Sequence, residues 1–310
     1  MHRLLTFFLI SLIYQVSFAA KNGFEIIDPL VPLNEIVSGG PPRDGIPAID
    51  LPKFDVVKNV QWLADEDRVL GIEIAGKVRA YPVRILNWHE LVNDHVADQN
   101  FTISYCPLCG SGMAFTTNIA DTALIFGVSG LLYNSDMLLY DRNSESLWSQ
   151  LLAKAISGPL KGAGLPQIPV THTTWKHWKS LHPETVVLSR DTGFERNYKQ
   201  SPYRGYEKSR RLFFEVNHKA PKTYHPKESV LGVEYQGQFK AYPFIELEKH
   251  NKSSFPDTVG GESFLIHWDK ASQTATIESK NGQAYPSVVS FWFAWFAFHP
   301  ETDIFQTPPE

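Results

Sequence analysis

Cysteine is almost absent: the 310 residues hold two, Cys106 and Cys109. A framework of several disulfides is therefore excluded as the support of the fold. An excess of charge of one sign is missing too. Lys plus Arg number 29 against 33 Asp plus Glu, a formal net charge of −4. Without a global basic field, no nucleic-acid partner is expected. Beyond the N-terminus no apolar run is long enough to span a bilayer; Phe291 to Phe298 is strongly apolar but too short. Common catalytic signatures are absent as well. There is no P-loop and no His-Glu-x-x-His, and Gly127-Val-Ser129-Gly130 lacks the glycine spacing of a hydrolase elbow.

What remains is ordinary globular composition, 43% hydrophobic, enough for a large core. The 21 Pro and 20 Gly point to many turns and short strands. Residues 1–19 read as a signal peptide. Arg3 supplies the positive start, Leu4 to Val16 the apolar run, and Ser17 and Ala19 the small residues before a cut after Ala19. The mature chain is thus expected to begin near Ala20, to lack a transmembrane segment and to be periplasmic or secreted. In such a compartment a cysteine pair can close into a disulfide.

The chain repeats itself. Val69-Leu-Gly-Ile-Glu73 through Ala80-Tyr-Pro82 to Leu86 returns as Val230-Leu-Gly-Val-Glu234 through Ala241-Tyr-Pro243 to Leu247, identical at nine of 18 positions. Tyr140-Asp-Arg142 with Ser144 and Ser146 is answered by Trp268-Asp-Lys270 with Ser272 and Thr274. Trp175, Trp178 and His182-Pro-Glu-Thr185 are answered by Trp292, Trp295 and His299-Pro-Glu-Thr302. Three landmarks in one order indicate an internal duplication. The first reads as a β-hairpin turning at Ala75-Gly76, then a helix opened by Pro82 that carries Ile85, Trp88, His89 and Val92 on one face. The last reads as a short helix capped by Thr173 or Ser290 and stopped by the proline, with its tryptophans in the core.

The expected fold class is therefore α+β, β-rich with short antiparallel strands, built as two related β-hairpin–helix modules. The expected divisions are a Pro-rich N-terminal arm over 20–60, module 1 over 61–189, a basic connector over 190–228 and module 2 over 229–310. The first copy is longer than the second, and most of the excess lies before Asp141, in the stretch that holds both cysteines. The cysteines thus belong to an elaboration of one copy.

Phe101 to Tyr105 reads as a strand and Met113 to Thr117 as its returning partner. Cys106-Pro-Leu-Cys109-Gly110 is then the hairpin tip, the shape of a metal knuckle, in which glycine supplies a positive φ. The Gly-Ser-Gly that follows opposes the helix a thioredoxin-type motif needs. Two thiolates do not complete a metal site. His89 is the first further ligand expected, followed by Glu90, Asn93 and Asp94, then His95. Copper or zinc suits two thiolates and an imidazole. Glu90, Ser129, Tyr133, Asn134 and Asp136 are expected to line a pocket, though Gly127 and Gly130 equally fit a bulged strand.

Several of these segments resemble a known family. Asp44-Gly-Ile-Pro-Ala-Ile-Asp50, Ala80-Tyr-Pro82, Trp88-His-Glu90, Tyr105-Cys-Pro-Leu-Cys-Gly-Ser111, Phe126-Gly-Val-Ser-Gly-Leu-Leu-Tyr-Asn-Ser-Asp136, Tyr140-Asp-Arg142 and Leu147-Trp-Ser-Gln150 are similar to the exported bacterial proteins grouped as domain of unknown function 3179. The resemblance implies an exported protein and supplies no activity. Three functions stay open: metal binding at the knuckle, thiol–disulfide exchange, or a ligand-binding protein or enzyme with a structural knuckle beside a polar pocket.

Overall fold

The computed structural model describes residues 18–119 and 122–308. All but the last two positions of the expected signal peptide lie outside the described residues. Strand accounts for 42% of the chain and helix for 12%, in several small antiparallel sheets, as the β-rich reading requires.

Strands β1 (Arg68–Ile74) and β2 (Lys77–Pro82) form the first hairpin. Ala75 and Gly76 both take positive φ, the tight turn that matches strand twist. Helix α1 (Val83–His89) follows. Pro82 is its N-cap and still pairs with Val69, so the proline ends the strand and is not the first helical residue. Glu90, at φ 60°, stops α1. Val92 consequently leaves the expected helix face and lies in strand β3 (Leu91–Val96), opposite Ile103.

The cysteine segment folds as expected, with β4 (Gln99–Cys106) returning as β5 (Ser111–Thr116). A second hairpin faces it, β6 (Phe126–Tyr133) and β7 (Asp136–Asp141), with β8 (Leu147–Ser149) alongside. Then come β9 (Thr171–Thr174), α2 (Trp175–Leu181) and β10 (Val186–Leu188). In the second half, β11 (Ser229–Tyr235), β12 (Gln238–Pro243) and α3 (Phe244–His250) run into β13 (Val288–Phe291), α4 (Trp292–Phe298) and β14 (Asp303–Ile304).

Neighbouring strands follow the order β9-β1-β2-β10 in the first half and β13-β11-β12-β14 in the second. In both, the last pairing is parallel. Trp178 covers Gly71 and Trp295 covers Gly232, where any Cβ would enter the indole ring. Each indole N–H donates to a threonine, Trp178 to Thr185 and Trp295 to Thr302, both at 3.0 Å. The expected caps are displaced by one residue. Thr174, not Thr173, accepts the His177 N–H, while Thr173 pairs in β9 and accepts from Thr274. Ser290 lies in β13, and Phe291 is the N-cap of α4.

The cysteine hairpin does not stay with its own half. β5 pairs with β13, placing β3, β4 and β5 in one eight-stranded sheet with β11 to β14. The largest apolar cluster therefore joins Cys106 and Cys109 to Phe115, Trp148, Trp292 and Trp295. Burying side chains of this size stabilises by about 1.5–3 kcal/mol each, so the knuckle sits inside the strongest part of the core. The N-terminal arm is held by strand pairing, Ile36–Ser38 with β6 and Phe54–Val56 with β10. Residues 190–228 have neither helix nor strand, yet bury Tyr198, Tyr206 and Lys227.

Candidate metal centre

Two hairpin tips meet at the site. On one, the Cys109 N–H donates to the Cys106 carbonyl at 3.2 Å, closing the knuckle. Gly110 follows at φ 61°, with the Phe291 ring where a Cβ would stand. Glycine is thus required there for conformation and for space. The Phe291 N–H fixes the knuckle from outside by donating to the Cys109 carbonyl at 2.7 Å. On the other tip, Asn134 and Ser135 both take positive φ, and Asp136 is the first residue after the turn. The Cys109 thiol reaches the Ser135 carbonyl at 3.4 Å.

The ligand atoms of Cys106, Cys109 and Asp136 all lie within 4.8 Å of one another, and all three residues are buried. Both cysteines are free thiols, so the disulfide allowed by an oxidising compartment is not formed. One Asp136 oxygen accepts the Leu151 N–H at 3.0 Å, while Oδ1 is buried with no partner among the described residues. Burial lifts the Asp136 carboxyl to about 7 and pushes both thiols up, Cys109 well above the usual thiol range. Taking three anionic groups out of water without a cation is costly, so the neutral forms win.

Glu90 stands next to this group. It is buried at the stop of α1, its carboxyl accepts from the Tyr203 hydroxyl at 3.3 Å, and burial lifts it to about 8. A cavity of about 330 Å³ opens beside it, lined by Leu108 of the knuckle, Val128, Met137, Tyr203 and Phe213. This cavity is mainly apolar, where a polar pocket was expected. Below the knuckle Gln150 joins the strands, accepting from the Ser111 hydroxyl at 2.6 Å and donating to the Ser104 hydroxyl at 2.9 Å.

A family model matches residues 43–285, most of the chain, and it spans the segments that carry the cysteines, Glu90 and Asp136. The chain belongs to DUF3179, described as a protein of unknown function. No curated protein and no solved structure matches it.

In this DUF3179 chain the expected ligand His89 is fully buried and committed elsewhere. Its Nδ1 donates to the Pro47 carbonyl at 2.8 Å, which leaves Nε2 to accept from the Tyr198 hydroxyl at 2.7 Å. Burial holds its pKa below the usual histidine value. Asn93 bonds Asp50 and Phe126, Asp94 accepts from Arg79 and Tyr81, and His95 is exposed on β3. Of the expected pocket residues, Asp136 alone joins the cysteines. The Ser129 hydroxyl serves the bulge of β6, donating to the Leu138 carbonyl and accepting the Leu131 N–H. Tyr133 packs edge-on against Phe298, and Asn134 bonds Ala297 and Asn217. Sequence reasoning missed Gln150 and Tyr203. The Leu147-Trp-Ser-Gln150 motif was the available signal for the first; nothing local marks Tyr203.

Proposed function

We propose that this exported protein binds a transition metal through Cys106, Cys109 and Asp136. The observation that carries the reading is the buried cluster of two thiols and a carboxyl whose Oδ1 has no hydrogen-bond partner. A dication held there compensates the three charges that burial otherwise suppresses. The donor set is two sulfurs and an oxygen, which favours zinc over Cu(I), since Cu(I) prefers soft ligands throughout. Three protein ligands leave a fourth tetrahedral position, the arrangement that admits water or substrate. Glu90 is the nearby carboxyl able to carry a proton for such a species.

Thiol–disulfide exchange finds less support. Both thiols are buried and pushed up, whereas exchange needs an accessible thiolate of lowered pKa. We also infer that the two halves descend from one duplicated hairpin–helix unit, given their shared strand order, their Trp–Thr bonds and the glycines under both indoles. The metal centre is then an addition to the first copy.

The test is metal analysis of protein purified without chelators. One equivalent of metal is expected in the wild type and loss of most of it in Cys106→Ser and in Asp136→Asn. Reduced, folded protein that takes up neither Zn(II) nor Cu(I) would sink the reading.

A further inference from the structure

A second cavity, of about 450 Å³, also borders the knuckle, touching Tyr105 and Gly110 where the first touches Leu108 and Glu90. Several of its donors are left unused. Arg68 is half-buried and spends two N–H groups on backbone carbonyls, Ser272 at 2.7 Å and His172 at 2.5 Å. Three of its five donors remain. Lys227 is buried, with its ammonium donating to the Ser209 and Arg211 carbonyls and lying over the Tyr206 ring at 3.9 Å, so one N–H is left without a hydrogen-bond acceptor. His172 is buried and its Nδ1 has no partner. The Tyr105 hydroxyl adds one more donor.

Neither cation is paired with a carboxylate among the described residues. Two acids do border the cavity, but Glu207 is exposed and Glu228 accepts the Ile245 N–H at 2.9 Å. Burial pulls Arg68 down to about 10 and Lys227 below the usual lysine value, for Lys227 against the opposing charge of Glu207. The site thus holds unspent donor capacity in a partly dry setting, with the Phe244 and Phe291 rings beside it.

We propose that this cavity binds a small oxyanion, a carboxylate or phosphate group, held by Arg68, Lys227, Tyr105 and His172. The ligand supplies acceptors for these unspent donors, and charge-assisted bonds to a guanidinium are the strong ones. This site does not depend on the metal.

Calorimetric titration of the full chain with succinate, and separately with inorganic phosphate at constant ionic strength, tests it. Saturable binding at one site is expected, the same before and after EDTA treatment. Arg68→Gln should weaken it about tenfold, the order of one lost charge-assisted bond, and Tyr105→Phe to a smaller degree. Tighter succinate marks an organic acid as the ligand and tighter phosphate a phosphoryl group; either supports the proposal. If neither anion saturates at millimolar concentration, the proposal fails. It fails equally if Arg68→Gln and Lys227→Gln bind as the wild type does. Should Arg68→Gln not fold, Lys227→Gln alone decides.

Discussion

At the residue scale, His89 and Asp136 show how partners across the chain decide a side chain's role. Both sit in distinctive motifs near the cysteines in sequence. Asp136 reaches the thiols because a two-residue turn leaves it little freedom. His89 does not, because Pro47 from the arm and Tyr198 from the connector occupy both ring nitrogens. Such contacts leave no trace in spacing. Another histidine yields a pH prediction. His299 stacks on Phe239 at 4.0 Å, and burial lowers it to about 4. The unfolded imidazole takes up its proton near 6.5, so the unfolded state binds more protons between those values. Stability contributed by His299 is present above pH 6.5 and is lost as pH falls toward 4, by up to about 3 kcal/mol. Glu90 and Asp136 act in the opposite direction, so urea melts of wild type and His299→Phe must be compared. The variant should lack this acid-side loss; identical pH slopes would refute the assignment.

At the element scale, the β-hairpins were legible and the helix ends were not. Alternating Thr and Ile around a Cys-Gly tip define β4 and β5 locally, because strand pairing across a tight turn is a short-range matter. The end of α1 depends on Glu90 adopting a positive φ, a conformation that a non-glycine residue does not advertise in sequence. Two glycines carry a sharper statement. Gly71→Ala and Gly232→Ala each drive a methyl into an indole, and about 1–3 kcal/mol of destabilisation is expected from such overpacking. Gly162, at φ +90° with open space where a Cβ would stand, serves as the comparison, a position where backbone strain alone, on the order of 1–3 kcal/mol, acts without overpacking. Denaturant midpoints rank the three. The Trp–Thr bonds give a paired test. Thr185→Val and Thr302→Val each leave an indole N–H unpaired, at about 1–3 kcal/mol. A large cost at one position with none at the other would show that the two halves are not energetically alike.

At the scale of the whole molecule, the landmarks outlined two related modules without saying how they join; β5–β13 pairing runs a sheet from the cysteine hairpin into the second half. Register between distant strands is set by shape and burial, which one sequence does not display. The connector illustrates the same point. Its ten basic residues mark it in the sequence only as a basic connector, yet its tyrosines and Lys227 enter both cavities and the core. Lacking ladder hydrogen bonds, residues 190–228 should open locally far more often than β1 and β2. Hydrogen exchange is expected to show the connector amides unprotected while the sheet amides exchange only with global unfolding. Equal protection in both would contradict this.

The bond from the Phe291 N–H to the Cys109 carbonyl also sets an order of events. The knuckle precedes its clamp by more than half the chain, so a nascent polypeptide leaves the ribosome with its cysteines made and their geometry unfinished. Closure waits on the last strands, a long-range contact of the kind that forms late. If the proposed metal binds, it then meets a finished site only after the last strands have been added.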